Sequence, residues 1–444
     1  MFGTSGIRGT VGETITAELA VSLGRALASA NYDRVVVGRD ARASGRLLVD
    51  ALTAGVREGG SDVIDVGVAT TPTVARGVGT LEADAGVVVT ASHNPATDNG
   101  FKFWTPSGQA FDETRRNEIS EYVRADDEAL VPWDELGDRT DRSDGVLYAR
   151  HKDALRTSID AADTALSSLS VVVDVGNGTG AITADALYEL GCTVRTLNAQ
   201  PDGRFPARPS EPNADTLETL QQTVGATDAD LGVAHDGDAD RMVAVDERGE
   251  FVVLDCLLAL FAREAAGEGD RVAAPLNTSL AVDDALAQVG ASLTRTPVGD
   301  VYVAERATES DVVFGGEPSG AWIWPAETLC PDGPLAACKL AALVARRGAL
   351  GELVDALETY PIHRESIPVE RKAAVMDAVE TAVRERGAAF DAMDGVRIEY
   401  DDGWVLVRPS GTEPVVRVTA EARDADRADA LLEDARSLVD DTVR

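Results

Sequence analysis

Ser170-Val-Val-Val-Asp-Val-Gly-Asn-Gly-Thr-Gly180 decides the fold class. The consecutive valines read as a strand buried on both faces, the glycines as a tight turn, and the segment through Leu190 as a helix leading to a second strand at Cys192–Leu197. That is a βαβ unit, and its two strands must be parallel. The turn suggests a dinucleotide site, but its spacing is G-x-G-x-G, and Asn198 stands where an acid would hold a ribose. It is read as structural.

The same alternation extends in both directions. The first 150 residues run through Val35–Gly38, Gly45–Glu58, Asp62–Val66 and Ala85–Thr90. A third stretch runs through Leu254–Arg263, Arg271–Ala274, Leu280–Val289, Val301–Thr308 and Val312–Phe314. The pattern repeats loosely, without an obvious sequence repeat. A charged, poorly periodic segment, Asp126 to Asp144, reads as a link. From Pro361 the order changes: a helix around Ala373–Arg386, strands at Val396–Tyr400, Trp404–Val407 and Val415–Ala420, and a C-terminal helix. Four domains are therefore expected. Residues 1–148, 149–249 and 250–361 form three similar α/β domains with mixed sheets flanked by helices, and 362–444 form an α+β domain with an antiparallel sheet.

Composition narrows the function. The chain has 444 residues, 44% hydrophobic and 26% charged, which is globular and long enough for several cores. Its 76 acids against 41 Lys and Arg leave a net charge of −35, so no nucleic-acid partner is expected. The longest apolar run, Cys256-Leu-Leu-Ala-Leu-Phe-Ala262, is bounded by Asp255 and Arg263 and is too short for a membrane span. The start, Met1-Phe-Gly-Thr-Ser-Gly-Ile-Arg-Gly9, has no secretory apolar stretch, and Cys192, Cys256, Cys330 and Cys338 lack zinc or disulfide spacing. A cytoplasmic location is expected. Acid spread along the whole length points to a heavily charged surface adapted to a salt-rich, halophilic cytosol.

Four motifs carry chemistry. Thr90-Ala-Ser-His-Asn-Pro95 ends a strand and leads into Asp98-Asn-Gly-Phe-Lys-Phe-Trp104. Its serine can present a hydroxyl at the sheet edge where open α/β folds place ligands, although a capped polar turn has the same composition. Asp236-Gly-Asp-Ala-Asp-Arg241 sets three carboxylates at alternate positions, a hard oxygen site suited to Mg²⁺. Counted through Glu247 it also resembles a calcium-binding helix-loop-helix, but Arg241 stands where glycine is needed and strands flank it. A plain acidic turn is the third reading, against which stands Arg241 as a phosphate-facing cation. In Gly315-Gly-Glu-Pro-Ser-Gly320, Glu317 and Ser319 can bind sugar hydroxyls, or the loop is a structural turn. Arg408-Pro-Ser-Gly-Thr-Glu-Pro414 offers a guanidinium, two hydroxyls and backbone N–H groups around Gly411 to a phosphate, or is a β-turn.

In this order the motifs resemble those of the α-D-phosphohexomutases, from Gly3-Thr-Ser-Gly-Ile-Arg-Gly9 through Val37-Gly-Arg-Asp40 to Arg417. The resemblance implies four domains around a central cleft, each giving one loop. It implies that Ser92 is a phosphoserine and that Asp236, Asp238 and Asp240 hold Mg²⁺ together with it. Glu317 and Ser319 would then bind the sugar, while Arg408, Ser410, Gly411, Thr412 and Arg417 hold its distal phosphate. The implied reaction passes the seryl phosphoryl group to a hexose monophosphate, giving a hexose 1,6-bisphosphate that serves as intermediate and activator. The bisphosphate turns around and returns its other phosphate to the serine.

Phosphoryl transfer is mostly positioning and charge neutralisation, for which Arg8, Lys102 and Arg241 are the candidates. His93 either orients the serine, shuttles a proton or fixes the loop, and His235 is read as support for Asp236; His151 and His363 lie outside every motif. Two departures bear on the substrate. Pro318 and Ala321 replace the Met and His that many gluco- and mannomutases carry. Gly-Glu-Pro-Ser-Gly followed by an aromatic instead looks most like the archaeal phosphoglucosamine mutases. Pro297 stands before Val298-Gly-Asp300 where the family often has a base, so Lys102, with a pKa lowered by desolvation and neighbouring cations, is taken as general acid/base.

The expected partners are small-molecule hexose phosphates, in a monomer or homodimer. Interconversion of glucosamine 6-phosphate and glucosamine 1-phosphate is the leading reading, with mannose or glucose phosphates the alternative. A metal-dependent phosphatase using Ser92 transiently and a calcium-binding module are the rivals from other classes. Trp322 and Trp324 either shape the sugar pocket or pack between domains.

The charge has a direct consequence for stability. At molar salt the Debye length is about 3 Å, which silences repulsion between distant surface acids. The thermal unfolding midpoint is expected to rise from dilute buffer to molar KCl; a protein most stable in dilute buffer would contradict the salt-adapted reading.

Overall fold

A computed structural model describes residues 2–3, 6–125, 130–159, 166–410 and 414–443. Among them lie four sheets, each drawn from one contiguous stretch of chain. In the first, strands Ile7–Thr10, Asp98–Trp104, Ala85–Val89, Arg34–Arg39, Asp62–Val68 and Arg139–Asp141 lie side by side in that order. The last four are mutually parallel, and the first two run antiparallel to their neighbours. Residues 139–141, inside the segment read as a link, thus form an edge strand on Asp62–Val68. Three exposed polar residues give no hydrophobic alternation by which to find it.

The second sheet orders Val243–Asp246, Leu231–Ala234, Ser170–Asp174 and Thr193–Leu197; the third orders Ser292–Thr296, Arg271–Pro275, Val312–Glu317 and Ala321–Ile323. Both repeat one plan from the first sheet. A parallel core ends in a strand whose chain turns back to an antiparallel neighbour: Ala85–Val89 to Asp98–Trp104, Leu231–Ala234 to Val243–Asp246, and Val312–Glu317 to Ala321–Ile323. The turns between these pairs, residues 90–97, 235–242 and 318–320, carry Ser92, the three aspartates and Ser319. Each turn contains a left-handed residue: Ser92 at φ +53°, Ala239 at +56° and Gly320 at +93°.

The strands form because runs such as Val35-Val-Val37 and Val171-Val-Val173 are fully buried between flanking helices. Side-chain caps set several helix starts. Thr16 Oγ1 accepts from Leu19 N–H at 3.1 Å before Ala17–Ser29, and Thr70 does the same for Thr73 before Thr71–Thr80. Helices Ala17–Ser29 and Gly45–Glu58 pack almost backbone to backbone, since a Cβ on Gly55 would come within 2.0 Å of the Val21 carbonyl.

The second and third sheets share one apolar core, whereas the first and fourth have their own. Trp322 is fully buried in the shared core, edge-on to Phe261 at 5.3 Å, and Trp324 packs on Phe261 and Phe314. Both tryptophans therefore serve packing. The fourth sheet is antiparallel throughout, ordered Ile362–Pro368, Val415–Ala422, Gly403–Pro409, Val396–Tyr400 and Phe390–Asp391, with helices Lys372–Glu385 and Ala425–Val443 packed against it. Its apolar contact with the third unit is small: Leu276 against Trp404 and Leu406. Beside it Glu421 accepts from Ser279 Oγ, Leu280 N–H and Trp404 Nε1. No helix among the described residues is long and apolar enough to cross a membrane.

One buried cluster ties the first three units together. Asp332 Oδ2 accepts from Arg76 Nε at 2.9 Å and lies 3.0 Å from His151 Nε2, while His151 Nδ1 meets Thr73 Oγ1 at 2.8 Å. Asp332 Oδ1 caps the helix Gly333–Arg347 by accepting from Leu335 N–H. Burial alone would raise the Asp332 carboxyl, but the His151 and Arg76 charges hold it below the ordinary range. Removing one partner from a buried charge cluster typically costs about 3 kcal/mol or more. Asp332→Asn is therefore expected to lower the thermal midpoint in molar KCl by several degrees, and an unchanged midpoint would contradict the tie.

Candidate active site

The turn at 235–242 places Asp236, Asp238 and Asp240 on one side of a tight reversal, made by Ala239 in the left-handed region. All three are buried, and one carboxylate oxygen from each lies within 4.8 Å of the others. Burial and the neighbouring carboxylates push Asp236 well above the ordinary carboxylate range and raise Asp240. Burial would raise Asp238 too, yet the Lys102 ammonium and the Thr71 hydroxyl, which donates to Oδ2 at 2.5 Å, hold it low. The other oxygen, Asp238 Oδ1, is buried without a hydrogen-bond partner. Three converging carboxylates with an orphaned oxygen fit a small hard divalent cation.

Ser92 faces this group. Its Oγ donates to Asp236 Oδ2 at 2.5 Å and lies 3.3 Å from Asp240 Oδ1. Lys102 comes from the antiparallel strand that leaves the serine turn, and its Nζ donates to Asp238 Oδ2 at 2.8 Å and to Asp240 Oδ2. The expectation of a lowered Lys102 pKa is overturned: burial pulls it down, but Asp238 and Asp240 outweigh burial and raise it above its ordinary value. Arg241 is held charged by Asp236 and Asp240 against the cost of burial, and the Arg8 Nε is buried without a partner. His93 is pushed down to about 2 by burial and then by Arg241, Arg8 and Lys102, so its imidazole is neutral.

The Gly315–Gly320 loop meets the aspartate loop directly. Arg241 bridges Ala321 as in an antiparallel pair, Met242 N–H donates to the Gly320 carbonyl at 2.9 Å, and Trp322 Nε1 donates to the Met242 carbonyl at 2.8 Å. Glu317 ends its strand and accepts from Ser319 Oγ at 2.7 Å; burial and then Asp300 raise its pKa. In the fourth unit, Arg408 and Arg417 sit opposite each other on adjacent strands. Arg408 Nε pairs with Asp394 at 2.9 Å, and the same carboxylate oxygen accepts Val298 N–H from the third unit at 3.0 Å. The Ser410 carbonyl accepts from Lys372 Nζ at 2.5 Å, while Gly411 and Thr412 lie outside the described residues.

Family models match four successive stretches of the chain. Those for phosphoglucomutase/phosphomannomutase alpha/beta/alpha domains I, II and III match residues 1–130, 149–249 and 254–360, and that for the C-terminal domain matches 367–438. A protein named "Probable phosphoglucosamine mutase" from Methanococcoides burtonii is 43% identical over all of this chain and 99% of its own. One of the same name from Methanopyrus kandleri is 45% identical over 99% of this chain and 97% of its own. The chain belongs to the phosphoglucomutase/phosphomannomutase family. Among solved structures, a phosphoglucomutase/phosphomannomutase family protein from Burkholderia thailandensis superposes with a TM-score of 0.88 at 27% identity, covering 100% of this chain and 98% of that one.

In this phosphohexomutase the side chains that hold the serine and aspartate loops in place, His235 apart, were not singled out from the sequence. Thr71 also ties its N–H to the Asp238 carbonyl at 2.9 Å, and Thr70-Thr-Pro-Thr73 reads in sequence only as a helix start. His151, left without a role, belongs to the Asp332 cluster, and Gly333 N–H from that cluster reaches the Ala239 carbonyl at 3.3 Å. His235 is a support: Nδ1–H donates to the Arg241 carbonyl and Nε2 accepts from Thr183, both at 2.8 Å. The glycine turn after Ser170–Asp174 is structural, since a Cβ on Gly178 would lie 2.6 Å from the Gly237 carbonyl.

A neutral His93 makes a clear prediction. Because it gains no proton until far below neutrality, the midpoints of the kcat/KM profile between pH 5 and 9 belong to other groups and to the substrate. His93→Gln is expected to lower the rate without moving those midpoints; loss of an acid limb near pH 6.5 would show that His93 titrates in catalysis.

Proposed function

We propose that this chain is a Mg²⁺-dependent phosphoglucosamine mutase, interconverting glucosamine 6-phosphate and glucosamine 1-phosphate through a phosphorylated Ser92. The observation that carries this is the contact of Ser92 Oγ with Asp236 and Asp240, with the buried Lys102 and the half-buried Arg8 and Arg241 nearby. Asp236, Asp238 and Asp240, with the seryl phosphate, would hold the metal. Bound there, Mg²⁺ supplies positive charge that neutralises the phosphoryl oxygens during transfer.

The chain's own residues do the rest. The seryl P–O bond breaks as a new P–O bond forms to the free sugar hydroxyl, whose proton passes to water while Ser92 Oγ gains one from Lys102. Lys102, kept protonated between Asp238 and Asp240, is the proton donor on the serine side and takes the proton back when the second transfer re-forms the ester. Arg8 and Arg241 neutralise the departing charge. Glu317 and Ser319 bind the sugar hydroxyls, and Arg408, Ser410, Gly411, Thr412 and Arg417 hold the distal phosphate. The 1,6-bisphosphate must present either end to Ser92, so the distal site accepts a phosphate on C1 or C6. A guanidinium pair meets that requirement because it recognises the phosphate and not the ring.

The amino-sugar assignment rests on the Gly316–Gly320 loop followed by Trp322, and on full-length relatives bearing that name at 43–45% identity. The test is ³¹P NMR in molar KCl with Mg²⁺ and a trace of hexose 1,6-bisphosphate, supplying glucosamine 6-phosphate or mannose 6-phosphate. Rapid formation of glucosamine 1-phosphate, absent in Ser92→Ala, is expected. Faster turnover of mannose 6-phosphate would overturn the substrate, and inorganic phosphate as the sole product would replace the mutase with a phosphatase.

A further inference from the structure

Arg42 lies behind the serine turn, fully enclosed, and every N–H of its guanidinium is used. Nη2 donates to the carbonyls of Ser92 at 2.8 Å and Asn94 at 2.7 Å; Nη1 donates to those of Pro95 at 2.5 Å and Asp98 at 2.8 Å; Nε donates to Asp40 Oδ2 at 3.0 Å. Four carbonyls of one turn thus converge on a single side chain. Asp40 extends the grip by accepting from Thr90 Oγ1 at 2.7 Å, and Thr90 Oγ1 accepts from Ser92 N–H at 2.8 Å.

The second unit closes the other side with a stretch that the sequence reading left unused, Asp202-Gly-Arg-Phe-Pro-Ala-Arg-Pro-Ser210. Ser210 Oγ donates to the Ser92 carbonyl at 2.8 Å, and the Phe205 ring lies over the Arg42 guanidinium at 5.0 Å. The fit is tight: a Cβ on Gly203 would come within 2.4 Å of Arg42 Cα, and one on Gly237 within 2.8 Å of the Ser92 carbonyl oxygen.

We propose that Arg42 and Ser210 are positioning residues for phosphoryl transfer, locking the Ser92 carbonyl from two units so that Ser92 Oγ stays aimed at the aspartate loop. This rests on the phosphoserine reading above. Ser92 sits at φ +53°, a conformation that a non-glycine residue keeps only where its surroundings over-determine it. Hydrogen bonds to both its N–H and its carbonyl supply that determination. A lysine cannot replace Arg42, because three donors on one nitrogen cannot span four carbonyls and a carboxylate as the planar fork does. Ser210 adds what Arg42 alone cannot. It belongs to the unit that carries Asp236, Asp238 and Asp240, so it fixes the serine turn relative to those carboxylates across the boundary between units.

Steady-state kinetics and the ³¹P resonance of the phosphoserine test this in Ser210→Ala and Arg42→Lys, with wild type and Ser92→Ala alongside. A small misplacement of a reacting group can cost up to about 100-fold in rate, so kcat is expected to fall about 10-fold in Ser210→Ala and about 100-fold in Arg42→Lys, with KM nearly unchanged and the resonance shifted. If Arg42→Lys does not fold, Ser210→Ala decides, because it removes one hydroxyl and leaves the guanidinium in place. Wild-type kcat with an unshifted resonance in Ser210→Ala, or a loss confined to KM, would overturn the proposal while the phosphoserine reading stands. Turnover persisting in Ser92→Ala would remove that reading and the proposal with it.

Discussion

Three carboxylates buried within 4.8 Å of one another are the constraint around which this phosphohexomutase is arranged. At an effective dielectric constant near 20, each pair of ionised groups at that distance repels by about 3–4 kcal/mol. The loop persists because groups from elsewhere in the fold offset the repulsion. Lys102 and Thr71 come from the first unit, Arg241 from the loop itself, and Ser92 Oγ caps Asp236. On the proposed mechanism, Lys102, Arg241 and Ser92 thus stabilise the aspartates and also serve phosphoryl transfer.

Topology makes this convergence possible. In each of the first three sheets the motif-bearing loop is the turn from the last parallel strand into an antiparallel neighbour, so one structural position recurs three times. The fourth unit stands apart, with its own core and a small contact on the third. Asp394 joins them where it matters, holding Arg408 and the Val298 N–H on one carboxylate oxygen. On the proposed function, a phosphate arriving at Arg408 would compete with that carboxylate.

Much of this was legible in the sequence because the buried valine runs and the loop motifs are local signals. Ser170–Val175 announced a parallel sheet, and Asp236–Arg241 announced three carboxylates that the fold buries together. What escaped was non-local or lacked pattern. The edge strand Arg139–Asp141 is exposed and polar, and the strands Ile362–Pro368 and Phe390–Asp391 are only half-buried. The proton affinity of Lys102 was read in the wrong direction because its cationic neighbours were weighed without Asp238 and Asp240, which lie more than 130 residues away in sequence and within hydrogen-bond reach in space. Arg42, Ser210, His151 and Asp332 were missed for the same reason: each acts through partners that only the fold brings together.

The central claim is that Ser92 is a covalent way-station for the phosphoryl group, and a single turnover tests it most directly. Enzyme carrying ³²P on Ser92 is mixed with excess glucosamine 6-phosphate in molar KCl and Mg²⁺, quenched at intervals, and its protein, sugar and inorganic phosphate are separated. The account predicts that label leaves the protein at the rate of turnover and appears first in the sugar bisphosphate and then in the sugar monophosphates. Label that stays on the protein through many turnovers, or leaves only as inorganic phosphate, would contradict it.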